Sequence, residues 1–329
     1  MPDAASPLRL LIVGFGGIAA AYHQALQRTP ALRLVAVVEP DAARPTPADV
    51  PRFASLASFR QSGVAADAAL VLTPPATHEL LVAELLGLGV HVLCEKPLAP
   101  TIAAAERMLA AARVAGRRLM MGSKFRYTPD VAAAQRLLHD GACGDVVLYE
   151  NVFCSHVDMT RRWNAVAEQS GGGVLIDNGC HSVDVARFLL GPIARVQAMF
   201  GRRAQPIAVE DTARLLFISG SGALGSIDLS WSVHKETDSY VRIHGTAGTL
   251  EIGWKASRWK PAGGEWRRFG DGYDKVAAFA GQLVDFAAAV AGAPGVIGDD
   301  DALASVVVVD AAYRSAREAR WIDVPEGAR

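Results

Sequence analysis

The sequence predicts an α/β fold in two parts. Residues 1–124 read as a doubly wound parallel sheet. Residues 125–329 read as an α+β region with a large, mostly antiparallel, open-faced sheet. Three observations carry this. A strand–glycine turn–helix pattern occupies Leu8 to Ala19. Short apolar runs then alternate with helical stretches as far as Gly122, which is the rhythm of a parallel sheet. Between Ala194 and Lys260, strand-like runs follow one another across Gly, Ser and Asp turns, which is the rhythm of an antiparallel one.

Taken in order, Leu8–Val13 is a buried strand and Gly14-Phe15-Gly16-Gly17-Ile18-Ala19 is a tight turn into a helix. Gly14 permits the turn, Gly16 admits a close backbone approach, and Ala19 stands where the third glycine of a G-x-G-x-x-G pattern sits. Such a turn aims the free N–H groups of a helix start at a dinucleotide pyrophosphate; the alternative is a β–α turn with no ligand. A second apolar run, Leu32–Val38, ends at Glu39. The spacing suits one β-α-β unit with Glu39 placed to accept from ribose hydroxyls, which favours NAD over NADP. Arg44 softens that preference, and a solvated strand end is the alternative for Glu39.

Pro45, Pro47 and Pro51 mark an irregular loop. Further strands are expected at Ala68–Leu72, Val90–Cys94 and Arg118–Gly122, with helices over about 77–87 and from Thr101, as N-cap, to Gly116. Thr73, Glu95 and Lys96 fall at carboxyl ends of strands, where open α/β sheets bind ligands. Beyond residue 125, Pro129 opens a helix to His139, Asp145–His156 reads as a strand, and Gly171-Gly172-Gly173 precedes a helix over 174–190. Strands at 195–201, 213–219, 224–233, 240–244 and 249–254 form the antiparallel sheet, whose open face Trp231, Trp254 and Trp259 are placed to help cover. The tail is helical over about 275–291 and 301–320.

The totals exclude some partners. The 329 residues are 51% hydrophobic and 20% charged with a formal net charge of −1, so no electrostatic case exists for nucleic acid or a membrane surface. The early apolar run lacks a basic leader and carries the turn glycines, so it reads as a strand and not as a signal peptide. Cys94, Cys143, Cys154 and Cys180 form no C-x-x-C pair and suit inert thiols in a reducing cytoplasm.

Lys96 follows a buried strand and precedes Pro97. There it can hydrogen-bond a substrate hydroxyl and, partly desolvated near a cationic ring, lower its pKa to share in proton transfer; a solvated loop lysine is the alternative. Asp177 and His181 are one helical turn apart. The expectation is that Asp177 orients the imidazole and raises its basicity, as the base of an alcohol oxidation requires. The alternatives are a helix-start carboxylate and a satisfied buried histidine. Asp184, a turn further on, suits the solvated side equally well. No metal site is expected, since no histidine pair at ligand spacing accompanies His181.

Together Gly14–Ala19, Thr73-Pro74-Pro75-Ala76-Thr77-His78, Cys94-Glu95-Lys96-Pro97-Leu98, Gly172–His181, His244–Leu250 and Asp310–Arg317 resemble successive motifs of the Gfo/Idh/MocA oxidoreductases. The resemblance implies an N-terminal Rossmann domain and a C-terminal domain whose open sheet builds a homodimer or homotetramer. It also implies hydride exchange between NAD(P) and a secondary alcohol of a sugar, inositol or related polyol. Lys96, Asp177 and His181 match the catalytic residues of the family. Thr73, Pro74, His78 and Glu95 match its cofactor loops, beside Gly14, Phe15, Gly16, Gly17, Ile18 and Glu39. One departure is Lys124, where many members carry Asn ahead of the Arg–aromatic pair; it is counted with the cofactor-binding residues, the alternatives being altered substrate contacts or a plain surface lysine. Tyr127, Arg161, Arg162, Trp163 and Asn164 are candidate substrate contacts, with a polar surface loop as the alternative. Reduction of an imine or bilin-like substrate, cofactor retention between turnovers and NAD sensing without catalysis are the competing functions.

Overall fold

A computed structural model describes residues 6–235 and 237–325. The first half alternates β1 (Leu8–Val13), α1 (Ala19–Leu26), β2 (Leu32–Val38), β3 (Arg52–Phe53), α2 (Leu56–Gln61), β4 (Ala68–Val71), α3 (His78–Gly87), β5 (His91–Glu95), α4 (Ile102–Ala115) and β6 (Leu119–Gly122). The strands pair in parallel in the order β3-β2-β1-β4-β5-β6. The order therefore reverses between β1 and β4, where such sheets open a crevice at their carboxyl ends. The sequence did not anticipate β3 and α2. Both follow directly after Pro51, and Ser55 caps α2 by accepting from Ser58 N–H.

The second half contains α5 (Pro129–His139), β7 (Val146–Cys154), the single turn α6 (Ala167–Ser170), α7 (Val174–Leu190), β8 (Ile193–Phe200), β9 (Thr212–Ser219), β10 (Leu224–Ser230), β11 (Ser239–Gly245), β12 (Gly248–Gly253), β13 (Ser257–Pro261), β14 (Arg267–Gly270), α8 (Lys275–Val290), α9 (Asp299–Glu318) and β15 (Ile322–Asp323). Nine strands run in the order β14-β13-β12-β11-β7-β10-β9-β8-β15, with only β7 and β10 parallel to each other. The overall α/β architecture is as expected. One face of this sheet buries Tyr149, Phe217, Ile227 and Leu250 against α7 and α9. The other presents Leu148, Leu224 and Met199 outward, as pleat alternation requires.

The three tryptophans do not cover that outer face. Trp231 is buried in the core, Trp259 pairs across the sheet with the buried Leu250, and Trp254 packs on Tyr240. Alternation puts all three on the inner side. Helix α8 returns to the first sheet, where Phe279 packs on Tyr22 of α1 with ring centroids 4.1 Å apart. No helix among the described residues is long and apolar enough to cross a membrane.

Candidate active site

A cleft of about 2040 Å³ runs from the carboxyl ends of the parallel sheet to the inner face of the second sheet. At one end lies the glycine turn. Gly14 has φ +87°, and a Cβ there would stand 2.7 Å from Thr73 Cγ2, so only glycine fits without strain. Helix α1 begins without a side-chain cap and without an acidic residue in its first turn, leaving its positive end available to an anion. Ala19 is fully buried and allows α1 to lie close on the sheet.

Glu39 sits almost buried at the tip of β2. Its carboxylate accepts from Phe15 N–H at 2.7 Å and from Asp41 N–H at 3.0 Å, with Arg44 Nη1 at 3.7 Å. A carboxylate retains further acceptor sites after two such bonds. Phe15 itself does not line the cleft: its contribution is the N–H given to Glu39. Gly14, Gly16, Gly17, Ile18, Glu39, Thr73 and Pro74 all line it. A loop with room only for glycine, an uncapped helix start and a buried carboxylate at the neighbouring strand tip fit the phosphates and ribose of a dinucleotide.

His78 is a correction. It is fully buried within the protein and does not line the cleft. Its ring lies between Thr73 O, 2.9 Å from Nε2, and the carbonyl oxygens of Pro97 and Leu98, 3.1 and 3.2 Å from Nδ1. Burial lowers its pKa against the pull of those carbonyls. His78 thus joins the loop after β4 to the loop after β5.

At the other end of the cleft Lys96 Nζ donates to Asp177 Oδ1 at 2.6 Å and to Asp177 O at 3.0 Å. Burial works against the ammonium, but the Asp177 carboxylate outweighs it and the pKa is raised. The expected fall does not occur, because the nearest partner is an anion. Nor does Asp177 hold the imidazole. His181 stands edge-on to Phe125 with centroids 5.1 Å apart, and its Nδ1 is buried without a hydrogen-bond partner among the described residues. Burial first, then the charges of Lys96 and Lys124, lower the His181 pKa well below its ordinary value, opposite to the sequence expectation. The imidazole is neutral.

Glu95 forms the floor between the two ends. Tyr22 O–H donates to its Oε1 at 2.6 Å, Gln282 Nε2 donates to Tyr22 Oη at 2.7 Å, and Lys96 N–H donates to its Oε2 at 3.2 Å. Lys124 also lines the cleft, its ammonium 5.4 Å from the Phe125 ring centroid and 5.5 Å from that of Phe279. Burial pushes its amine down to about 8. Two residues on, the buried guanidinium of Arg126 donates to Asp184 at 2.7–3.0 Å and to Asp301 at 3.0 Å. Asp184 is accordingly buried and not solvated.

Tyr127 does not reach the cleft; its hydroxyl donates to Asp285 Oδ2 at 2.7 Å. Arg161, Arg162, Trp163 and Asn164 do line it, at the exposed rim. Cys94 and Cys180 are buried thiols, Cys180 pushed up to about 12 by burial, which suits packing and not nucleophilic chemistry.

Two features went unread in the sequence. An aromatic wall of Phe153, Trp254 and Tyr273 lines the cleft, drawn from three separate segments. Glu210 caps α7 from a distance, accepting from Gly173 N–H at 3.0 Å, Leu175 N–H at 3.1 Å and Tyr313 O–H at 2.7 Å. The glycine run was its signal, because a Cβ at Gly172 would collide with Tyr313 and one at Gly173 with Glu210.

Residues 8–123 match the oxidoreductase family with an NAD-binding Rossmann fold, and residues 131–251 match the Gfo/Idh/MocA C-terminal domain. The chain belongs to the Gfo/Idh/MocA family. An inositol 2-dehydrogenase of Leifsonia xyli subsp. xyli is 30% identical over 267 residues, 78% of this chain and 76% of that protein. A D-apiose dehydrogenase of Paraburkholderia graminis is 33% identical over 186 residues, 55% of this chain. That match spans only 49% of its length; the chain thus covers about half to three-fifths of the first curated relatives it matches. Among solved structures, the aldose–aldose oxidoreductase of Caulobacter crescentus, complexed with glycerol, superposes with a TM-score of 0.86 at 27% identity over 96% of this chain and 99% of that one. Membership in Gfo/Idh/MocA accounts for the paired sheets; the chemistry rests on the side chains in the cleft.

Proposed function

We propose that this protein is an NAD-dependent dehydrogenase that oxidises a secondary alcohol of a sugar, inositol or related polyol. The observation that carries the reading is the Lys96–Asp177 pair beside the neutral His181, in one cleft with the glycine turn. Residues 1–124 hold the cofactor and residues 125–329 supply most of the substrate side, with α8 returning across the division.

A nicotinamide held between the glycine turn and Lys96 would supply the hydride acceptor. The protein does the rest. Lys96, kept charged by Asp177, donates to the substrate oxygen and stabilises the negative charge that develops there. His181, neutral and therefore able to accept, takes the hydroxyl proton as the C–H bond breaks. Asp177 acts through Lys96, not through the imidazole. Glu95, fixed by Tyr22 and Gln282, sets the floor on which the reacting groups meet. The aromatic wall offers apolar faces to a sugar ring.

Glu39 favours NAD over NADP, because a 2′-phosphate would meet its carboxylate. The outward face of the second sheet, with Leu148, Leu224 and Met199 exposed, suits association into a homodimer or homotetramer; light scattering at micromolar concentration reads that directly. The decisive experiment is an NAD⁺ and NADP⁺ reduction screen over inositols, aldoses, sugar acids and sugar nucleotides. NADH formation with at least one secondary alcohol is expected. NAD binding with no turnover across the panel removes the dehydrogenase reading and leaves a cofactor-sensing protein.

A further inference from the structure

The cleft is more cationic than the chain that forms it. Ten lysines and arginines line it against six aspartates and glutamates among the described residues, while the whole chain carries a formal charge of −1. Several of the cations are matched. Lys96 sits on Asp177, Arg44 on Asp41 and Glu39, Lys235 on Asp228, and Arg242 and Arg258 on Glu251. Arg161, Arg162, Lys255 and Lys275 make no ion pair among the described residues, but all four are exposed and water solvates them.

Lys124 differs. Its ammonium is packed against two phenylalanine rings inside the cleft and makes no hydrogen bond or ion pair among the described residues. Burial, the largest effect, disfavours its charge; Glu95 and Asp177 attract it, Lys96 and Lys275 repel it, and the balance pushes the amine down. Asp177 is paired with Lys96, and Glu95, which accepts from the neutral Tyr22 hydroxyl, makes no ion pair with Lys124 among the described residues. A desolvated ammonium without its own counter-charge is costly, and an anion brought by a ligand relieves that cost.

The cofactor's phosphates are badly placed to be that anion. On the reading above they lie at the glycine turn after β1. Lys124 follows β6, the edge strand, with β4 and β5 intervening. At roughly 4.8 Å per strand the two strand ends are about 14 Å apart. The substrate side is nearer, since Lys124 shares Phe125 with His181.

We propose that Lys124 seats an anionic substituent of the substrate, a carboxylate or a phosphate, so that the preferred substrate is an acidic sugar or polyol and not its neutral counterpart. This rests on the dehydrogenase reading for the reaction, not for the binding. Unpaired cations at the rim, Arg162 and Lys255, draw such a ligand inward.

Calorimetric titration of the NADH-loaded full chain tests it directly. The probes are D-glucuronate, D-galacturonate and D-glucose 6-phosphate against D-glucose and D-galactose at low ionic strength. At least one anion binds about ten- to a hundred-fold more tightly than its neutral partner, the range of a charge-assisted hydrogen bond. The carboxylate and phosphate arms identify which anion is taken. Lys124→Met reduces that preference at least about tenfold, whereas Lys124→Arg keeps it. NADH is present throughout, so any effect on cofactor affinity cancels in the ratio. Equal binding, no binding of any probe, or an undiminished preference in Lys124→Met overturns the assignment. Anion binding without NADH formation from any alcohol upholds Lys124 and removes the dehydrogenase reading; turnover of neutral polyols without anion preference does the reverse.

Discussion

The two ends of the cleft are built by different means. At the glycine turn the working parts belong mainly to backbone: a positive-φ residue against Thr73, an uncapped helix start, and N–H groups donated to Glu39. At the Lys96 end they are buried side chains whose charges are set by one another. A substitution at the first end acts through shape. One at the second acts through charge, and it propagates to its neighbours. This difference sets the size and kind of effect expected from each substitution.

The largest effects belong to the charged end. Lys96→Met and His181→Ala each lower kcat by about 10²–10⁴, the usual worth of a positioned proton-transfer or charge-stabilising group, with NADH binding by fluorescence titration changed far less. Wild-type turnover in either variant removes that residue from the reaction.

Asp177→Asn comes next, and it also changes the pH profile. The carboxylate raises the Lys96 pKa above its ordinary value against the opposing effect of burial. Lys96 therefore stays charged as pH rises to at least the ordinary lysine range. Without Asp177 burial is opposed mainly by the weaker pull of Glu95 and the pKa falls, so activity is lost at lower pH on the alkaline side. A kcat/KM profile for both proteins between pH 6 and 11 reads this shift. An unchanged alkaline limb would show that Asp177 does not act through Lys96.

At the backbone end, Gly14→Ala combines a positive-φ residue with a contact to Thr73. Its cost is about 1–3 kcal/mol, seen as weaker NADH binding and a lower melting temperature, while the pH profile of the residual activity stays that of the parent. The smallest effect is at Glu39. Replacing it by Ala removes the repulsion of a 2′-phosphate, so the NAD-to-NADP preference in kcat/KM narrows. Overall rate falls only modestly, and an unaltered preference would place cofactor selection elsewhere.

The same difference explains what was legible in the sequence. The glycine turn, Glu39, the strand–helix alternation and the loop carrying Lys96 are local patterns, each contained in a window of a few tens of residues. The organisation of the charged end is not local. Lys96 meets Asp177 across 81 positions and Arg126 meets Asp301 across 175. The i, i+4 spacing of Asp177 and His181 made them neighbours on a helix, but a closer and oppositely charged partner took the carboxylate. His78 stood in the right motif yet points into the protein, where only the fold supplies three carbonyl oxygens. The cap on α7 was encoded as three glycines, which say that something comes close without saying that it is Glu210.

The bond from Gln282 to Tyr22 spans 260 positions, and it has a consequence for how the molecule can be divided. Tyr22 orients Glu95, and Phe279 of α8 covers the Tyr22 ring. A ribosome releasing this chain makes the glycine turn early, but the floor beneath it lacks its last support until residue 282 has emerged. A fragment ending near residue 124 would contain every strand of the parallel sheet and still present the apolar side of α1 to water. The first half of the chain is thus a sheet-forming unit in its pairing pattern, whereas the support beneath Glu95 is completed only by Phe279 and Gln282 of α8.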